Sequence, residues 1–493
     1  MAEVARPVSL VALTALMLSP GLWIGPSLDA AVFVLAGVRI RAGFMPYRDL
    51  WDHKPPGSYL LNAIGQTVLP WLDSWLVAWL LTLAFSGAAI VVFDRLLRRR
   101  LGPVSAFFWS LVCLVLAASF PVALGGGLTE SYAILPLATA LWLVARPQPS
   151  LRVSAGAGCL LSVACLLTLQ ALPVAAVLFV AALYRRGNRA ASLRSVLAVI
   201  VGGAVLPLIV AGWLVARGAF GDAMDQLITY NAAYRNSAVE APDLVAVGVL
   251  LFAGLAIPAA VTAVLMVRRP RDFDRLDWAS LAWAFAYTIY IGYQGRIYFH
   301  YLILLAPPVV WLGARGAAWL MTRANGPKGN ARPASIGLLV GAVCAAAISV
   351  LTVVGLMTAL PRFSSDRIKT TDAAAWIDAR TPASATLFVW GHDTDLYLLT
   401  ARAPYDRYVY DFPLFTEGYA PGDRLAGLLA EWTVAPPAVI VESTAGAPLL
   451  STSGDGAGPS YPALDGLRDF VRDHYRLGAT FGGYDIYVPI GGG

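Results

Sequence analysis

Long apolar runs separated by short charged ones fill most of this chain, and the alternation stops near residue 358. Runs near 8–27, 71–93, 103–121, 131–145, 153–168, 171–184, 195–216, 244–267, 278–292, 297–314 and 334–357 read as eleven membrane spans. An upright span needs about 20 residues, and the three runs from 131 to 184 fall short of that. Broken or partly embedded helices are expected there, and a count of nine keeps the same parity as eleven. Between the first two runs lies a long loop, 28–70, whose stretch from Asp29 to Arg41 predicts a short helix. Val32, Leu35, Ala36 and Ile40 fall near one face of it, the pattern of a helix lying on a membrane surface. Pro55-Pro56 stiffens the exit of this loop and makes a helix start afresh, while Gly57 allows close backbone approach. A second loop, 218–243, carries Met224, Leu227 and Ile228 at helical spacing. Gly125-Gly126-Gly127 and Tyr293-Gln294-Gly295-Arg296 read as tight turns.

Beyond 358 the pattern becomes that of a water-facing domain. Residues 371–379 predict a helix, 387–390 a buried strand, 395–402 a helix, 438–441 a strand, 463–476 a helix and 484–488 a final strand. A Gly/Ser/Pro-rich loop is expected over 443–462. The alternation predicts a small α/β domain over 358–490 that caps a membrane domain over 1–357. The terminal Gly491-Gly492-Gly493 reads as a linker remnant outside the fold.

Composition agrees with the membrane reading: 58% of the 493 residues are hydrophobic, 13% are charged and the mean hydropathy is +0.66. The net charge of +6 is informative by position, not as a sign of nucleic-acid binding. With a cytoplasmic N-terminus, the inner loops and Arg6 hold 19 of the 36 basic residues. The positive-inside rule therefore predicts that the 28–70 loop and the C-terminal domain face the extracytoplasmic side. The first run is too long for the apolar core of a cleaved leader and is expected to be retained. Cys113, Cys159, Cys165 and Cys344 all fall in spans, so neither a disulfide framework nor a metal spacing is expected. Nucleotide-binding glycine motifs and HExxH are absent, so any substrate must bring its own activation.

The candidate chemistry sits mainly in the first outer loop, in Tyr47-Arg48-Asp49-Leu50-Trp51-Asp52-His53-Lys54-Pro55-Pro56-Gly57. Asp29, Asp49 and Asp52 are placed to act as bases or cation ligands; Arg48, His53 and Lys54 to bind an anionic group. The structural alternative is that these charges pair with one another and with headgroups. Arg296 and His300, four apart, share a helical face with Tyr301 nearby, a suitable grip for a phosphate, or else an interfacial anchor among aromatic residues. Glu130 heads an apolar run, where a helix N-terminus favours an anion, and its depth matches that of the loop. Gln170 reads as a packing residue.

These segments resemble the polytopic glycosyltransferases of the GT-C class, and more narrowly the bacterial group related to protein O-mannosyltransferases and the lipid A aminoarabinose transferase. The resemblance is carried by Leu28-Asp29-Ala30, by Gly43-Phe44-Met45-Pro46-Tyr47-Arg48-Asp49 running into Lys54-Pro55-Pro56-Gly57, and by Thr129-Glu130. Arg296-Ile297-Tyr298-Phe299-His300-Tyr301, and Val389-Trp390-Gly391 with Tyr397 and Arg402, extend it. It implies a GT-C fold and an inverting transfer of a sugar from a polyprenyl-phosphate donor to a lipid, glycan or protein acceptor, in a bacterial inner membrane with the active site extracytoplasmic. It matches Asp29 to the family's catalytic aspartate, as general base. Lys54, Arg296, His53, His300 and Tyr301 would hold the donor phosphate; Tyr47, Arg48, Asp52, Glu130, Tyr397 and Arg402 would face acceptor or sugar. Family members often carry Asp-Glu where this chain has Asp29-Ala30. A metal-independent site without a cofactor is therefore expected, with Asp49 and Glu130 as substitutes in the opposite case. Two other readings share this layout: a ligase of the same fold that transfers a whole oligosaccharide, or a lipid-linked sugar onto a protein, and a non-catalytic transporter of lipid-linked glycans. The latter usually shows mid-membrane ionisable groups and repeated halves, neither of which stands out here.

Overall fold

The computed structural model describes residues 2–144, 146, 150–183, 189–236, 255, 258–295, 298–324, 357, 360–361, 363–443, 449–450 and 461–491. The chain opens with α1 (Ala2–Leu18), separated at Ser19-Pro20 from the short α2 (Pro20–Ile24). The first outer loop holds α3 (Leu28–Arg41) and α4 (Gly57–Val68), the second starting behind Pro55-Pro56 as expected. Next come α5 (Ser74–Leu101), α6 (Pro103–Ala118), the short α7 (Phe120–Ala123), α8 (Thr129–Val144), α9 (Leu151–Leu167), α10 (Ala171–Leu183) and α11 (Arg189–Ala216). Then α12 (Phe220–Met224) runs through a π-helical turn, Asp225–Tyr230, into α13 (Asn231–Asn236). The last described helices of the bundle are α14 (Pro258–Arg268), α15 (Arg275–Gln294) and α16 (Leu302–Ala324).

Among the described residues, Val4–Ile24, Ser74–Leu101, Leu193–Ala216 and Phe299–Trp319 are long and apolar enough to cross a membrane. The expected run 334–357 lies outside the described residues apart from residue 357, and of the run 244–267 only 255 and 258–267 are described. The other expected runs fall on helices. The three short runs are continuous helices of 16, 17 and 13 residues, not broken ones.

Close backbone contact holds two of these helices together. A Cβ on Gly158 would lie 2.0 Å from the Val199 carbonyl oxygen, and one on Gly202 2.0 Å from that of Ala155, so α9 and α11 touch main chain to main chain. At one end of the bundle two buried aspartates gather arginines. Asp94 receives Arg6 Nε at 3.0 Å and the Ser110 hydroxyl at 3.0 Å, and forms an ion pair with Arg98 at 3.1 Å. Asp277 receives Arg315 Nε at 2.8 Å and Trp311 Nε1 at 2.9 Å. Arg100 pairs with Asp274 at the same end. Among the described residues, Arg6, Arg98, Arg100 and Arg315 thus gather at one end of the bundle.

The first outer helix departs from expectation. Residues Ala30 to Gly37 of α3 are buried on every side, so α3 does not lie on a surface. It packs against α4, where Gln66 Nε2 donates to the Val34 carbonyl at 3.2 Å, and against the C-terminal domain. The reason is in its sequence: Ala-Ala-Val-Phe-Val-Leu-Ala-Gly is apolar all round, the signature of an enclosed helix.

In the C-terminal domain, α17 (363–380) precedes β1 (Thr386–Trp390), α18 (Asp395–Thr400), β2 (Ala403–Pro404), α19 (Phe412–Phe415), α20 (Pro421–Val434), β3 (Val439–Ser443), α21 (Pro462–His474), β4 (Tyr475–Phe481) and β5 (Tyr484–Pro489). The sheet runs β2-β1-β3-β5-β4. β2 and β3 flank β1 in parallel, whereas β5 pairs antiparallel with β3 and with β4. The helix expected through 476 ends at His474, because Tyr475 opens β4. β2, β4, α19 and α20 were not anticipated, although Leu425, Leu428 and Trp432 bury the helical face of α20. One apolar cluster joins α3, the first outer loop and the inner face of the sheet through Val32, Leu50, Trp51, Leu387 and Val441. The domain therefore shares a core with the bundle.

Because the α9–α11 contact leaves no room for a side chain, Gly202→Ala should push the helices apart. A loss of about 1–3 kcal/mol is expected, seen as a lower unfolding temperature of the detergent-solubilised protein, while Gly212→Ala, with open space around it, should be near neutral.

Candidate active site

A cavity of about 920 Å³ lies between one end of the helix bundle and the C-terminal domain. It is at the opposite end from the arginine-rich side: His300 precedes α16 while Arg315 lies well along it, and Glu130 opens α8. Asp29, Asp52, His53, Lys54, His300 and Tyr301 all line the cavity.

Asp29 stands in the first turn of α3, where the helix N-terminus favours a negative charge, and the Ser27 hydroxyl caps that end by accepting from Ala30 N at 3.3 Å. Burial opposes ionisation of Asp29, but His300, His392 and Lys54 outweigh it and hold its carboxyl below the ordinary aspartate value. Lys54 shows the converse balance. Burial works against its charge, yet Tyr301, Glu130, Asp29 and Asp52 together raise its pKa above the usual lysine value. Its ammonium forms no ion pair with a described carboxylate. Lys54 is thus a cation held by a surrounding field and left free to meet an anion in the cavity.

The loop carrying Lys54 is fixed by hydroxyls. Tyr47 donates to the Lys54 carbonyl at 2.8 Å, and the Tyr59 hydroxyl stands 2.9 Å from the same oxygen. Asp52, 3% exposed, accepts from Tyr59, from Tyr410 at 2.6 Å and from the His53 amide at 2.8 Å. Burial raises the Asp52 pKa, and the hydroxyls of Tyr410 and Tyr59 pull it back. Tyr47 itself sits at φ 70, a left-handed conformation that is costly for a bulky side chain. It is held there because its amide bonds the Leu50 carbonyl at 2.8 Å and its carbonyl receives Gln226 Nε2 at 2.8 Å and the Arg407 guanidinium.

Glu130 lies beneath the cavity wall, 1% exposed, with the Thr168 hydroxyl 3.1 Å from one oxygen and His300 Nε2 4.0 Å from the other. It backs His300 instead of facing the cavity. Asp49 and Arg48 stand apart from the cavity: they form an exposed pair at 2.7 Å, and Asp49 closes the turn by accepting from Met45 N at 2.8 Å. Tyr397 receives the Val389 amide at 2.9 Å inside the small domain, and Arg402 joins Asp378 at 2.5 Å and the Thr381 carbonyl at 2.8 Å. These four hold structure together and are not brought to the cavity. Arg296 lies outside the described residues.

Sequence reading missed the wall supplied by the C-terminal domain, which includes His392, Asp393, Asp395, Tyr410, Phe412 and Tyr484. One signal was present: of only four histidines in the chain, His53, His300 and His392 face this one cavity. Among the described residues no three His, Cys, Asp or Glu side chains converge to hold a metal ion. Ala30, the neighbour of Asp29, packs toward Gly127 and supplies no second carboxylate.

No protein-family model matches the chain, and no curated protein matches it. Solved structures do. ArnT from Cupriavidus metallidurans bound to undecaprenyl phosphate superposes with a TM-score of 0.62 at 15% identity, over 98% of this chain and 98% of that one. ArnT in the apo state gives 0.62 at 15% identity over 99% of each. The Archaeoglobus fulgidus oligosaccharyltransferase tethered to an acceptor peptide gives 0.51 at 13% identity, over 98% of this chain and 74% of that one. The chain is a multi-pass helical protein of the GT-C fold with a small C-terminal sheet domain.

Two expectations follow from this arrangement. Tyr410→Phe removes the hydroxyl that ties the C-terminal domain to Asp52, and a loss of about 1.5–3 kcal/mol is expected for a hydrogen bond to a charged group, read as a lower unfolding temperature with faster proteolysis of the 47–57 loop. The second concerns pH. Burial raises Asp411 to about 7, and burial with the Asp393 charge raises Asp395 to about 6 despite Arg367. A folded pKa above the unfolded value of about 3.9 means stability is full below that value and declines as pH climbs toward 7. Asp411→Asn should therefore unfold at a higher temperature than the parent near pH 8 and lose that advantage toward about pH 4.

Proposed function

We propose that this protein is a glycosyltransferase that moves a sugar from a polyprenyl-phosphate donor to a lipid or glycan acceptor at the outer face of a bacterial inner membrane. The observation that carries the reading is the pairing of Asp29 with an ion-pair-free Lys54 in one cavity. The likeness to the fold of ArnT, solved with undecaprenyl phosphate, supports the choice of donor. The gathering of arginines at the far end supports a cavity on the extracytoplasmic side.

In the proposed reaction, Asp29 accepts the proton of the acceptor hydroxyl as that oxygen attacks the anomeric carbon. The bond from the anomeric carbon to the phosphate oxygen breaks on the opposite side, inverting the configuration. The departing polyprenyl phosphate gains the negative charge, which Lys54 stabilises, with His300, His53 and Arg296 as further donors. Glu130 stands 4.0 Å behind His300 and adds negative charge beneath Lys54. A depressed pKa keeps Asp29 unprotonated at neutral pH, the state a base requires.

The test uses the purified full-length protein with radiolabelled polyprenyl-phosphate sugars and membrane acceptors. Transfer is expected from at least one donor, with a drop of about 10²-fold or more in Asp29→Asn, and a rise in donor KM or a fall in kcat in Lys54→Ala. Absence of transfer from every donor, with Asp29→Asn indistinguishable from the parent in lipid binding and stability, would refute an enzyme.

A further inference from the structure

The arginine-rich end of the bundle holds more positive charge than its own carboxylates match. Among the described residues there, Asp94 is engaged by Arg6 and Arg98, Asp274 by Arg100 and Asp277 by Arg315, while Asp272 accepts from Trp319 Nε1 at 3.1 Å. Arg95, Arg99 and Arg146 form no ion pair with a described carboxylate. Arg95 and Arg99 are exposed and stand one turn apart near the end of α5, where like charges at this spacing repel. An anion from outside the chain would relieve them.

Arg99 and Arg146 converge on one aromatic ring. The Arg99 guanidinium lies 5.7 Å from the centre of the Trp142 ring, and that of Arg146, in the turn behind α8, lies 4.3 Å from it. Two cations from separate helices are thus held near each other across a single indole. Arg146 is fixed in that turn because its amide donates to the Leu143 carbonyl at 3.2 Å. The ring face attracts each cation, yet it has no net charge to cancel their mutual repulsion. A guanidinium presents paired N–H donors that match phosphate oxygens, so a phosphate group fits this pair. Depth selects a lipid as its carrier. Ser74–Leu101 is long and apolar enough to cross a membrane, and Arg99 lies two residues from its end, at the level of lipid headgroups. At the same end Val104, in the first turn of α6, and Leu151, opening α9, are both about half exposed and offer apolar surface to acyl chains.

We propose that Arg99 and Arg146, held against Trp142, form a binding site for the headgroup phosphate of an anionic glycerophospholipid, at the end of the bundle remote from the cavity. Arg95 adds to its field from one turn away. The site is independent of any reaction in the cavity. Native mass spectrometry reads its occupancy, using the full-length protein in detergent titrated with phosphatidylglycerol or with phosphatidylcholine of identical acyl chains. Phosphatidylglycerol should bind at least about fivefold more tightly, and Arg99→Gln and Arg146→Gln, each checked for parental unfolding temperature, should weaken it about fivefold apiece. Arg152→Gln is the control, since Arg152 is exposed at the same end and packs on no described aromatic ring; its affinity should equal the parent's. Arg99→Gln, at an exposed position, decides the matter where Arg146→Gln disturbs the turn. Equal binding of the two lipids, or affinity unaltered in the folded Arg99 and Arg146 variants, would overturn the site. So would an equal loss in Arg152→Gln, the mark of a diffuse field, or displacement of the lipid by equimolar inorganic phosphate, the mark of a free-anion site.

Discussion

Everything at the cavity depends on the carboxylate of Asp52. The 45–54 segment is an irregular loop, so its peptide groups lack the partners that a helix or sheet would supply. Asp52 answers this by gathering two tyrosine hydroxyls and one amide, one hydroxyl from its own outer loop and one from the C-terminal domain. Gln226 and Asn231, from the second outer loop, bond the amide of Asp52 and the carbonyl of His53. Three separate stretches of chain thus converge to set the position of Lys54. A buried polar network of this kind specifies one geometry because each member left unpaired would be unfavourable.

Much of this was legible in the sequence, and the boundary of legibility has a physical cause. Spans, their alternate arginine loops and the strand at 387–390 follow from local periodicity and composition, which one sequence displays directly. Asp29 and Lys54 stand out because charges beside apolar runs are uncommon. The sequence could not show that Asp49 pairs with its own neighbour Arg48, or that Arg402 serves α17, because both are settled by which groups happen to be within reach after folding. The same holds for His392 and Tyr410. They come from a domain separated from the first loop by more than three hundred residues of chain, and only the packing of that domain onto α3 brings them to Asp29 and Asp52.

The buried status of α3 corrects the most consequential expectation. A helix lying on a membrane surface would present Asp29 to water and move with the lipid. Enclosed between α4 and the small domain, α3 is part of the shared core, so Asp29 is as firmly placed as the sheet above it. That rigidity suits the role of general base proposed for Asp29, since a base loses effect steeply with misplacement.

The wall behind the cavity is stitched across helices. Thr168 lies just before α10 at Ala171, and its hydroxyl bonds Glu130, which stands in the first turn of α8 and 4.0 Å from His300. Moving either helix start would therefore displace His300, so the shape of the chamber registers how the bundle beneath it is packed.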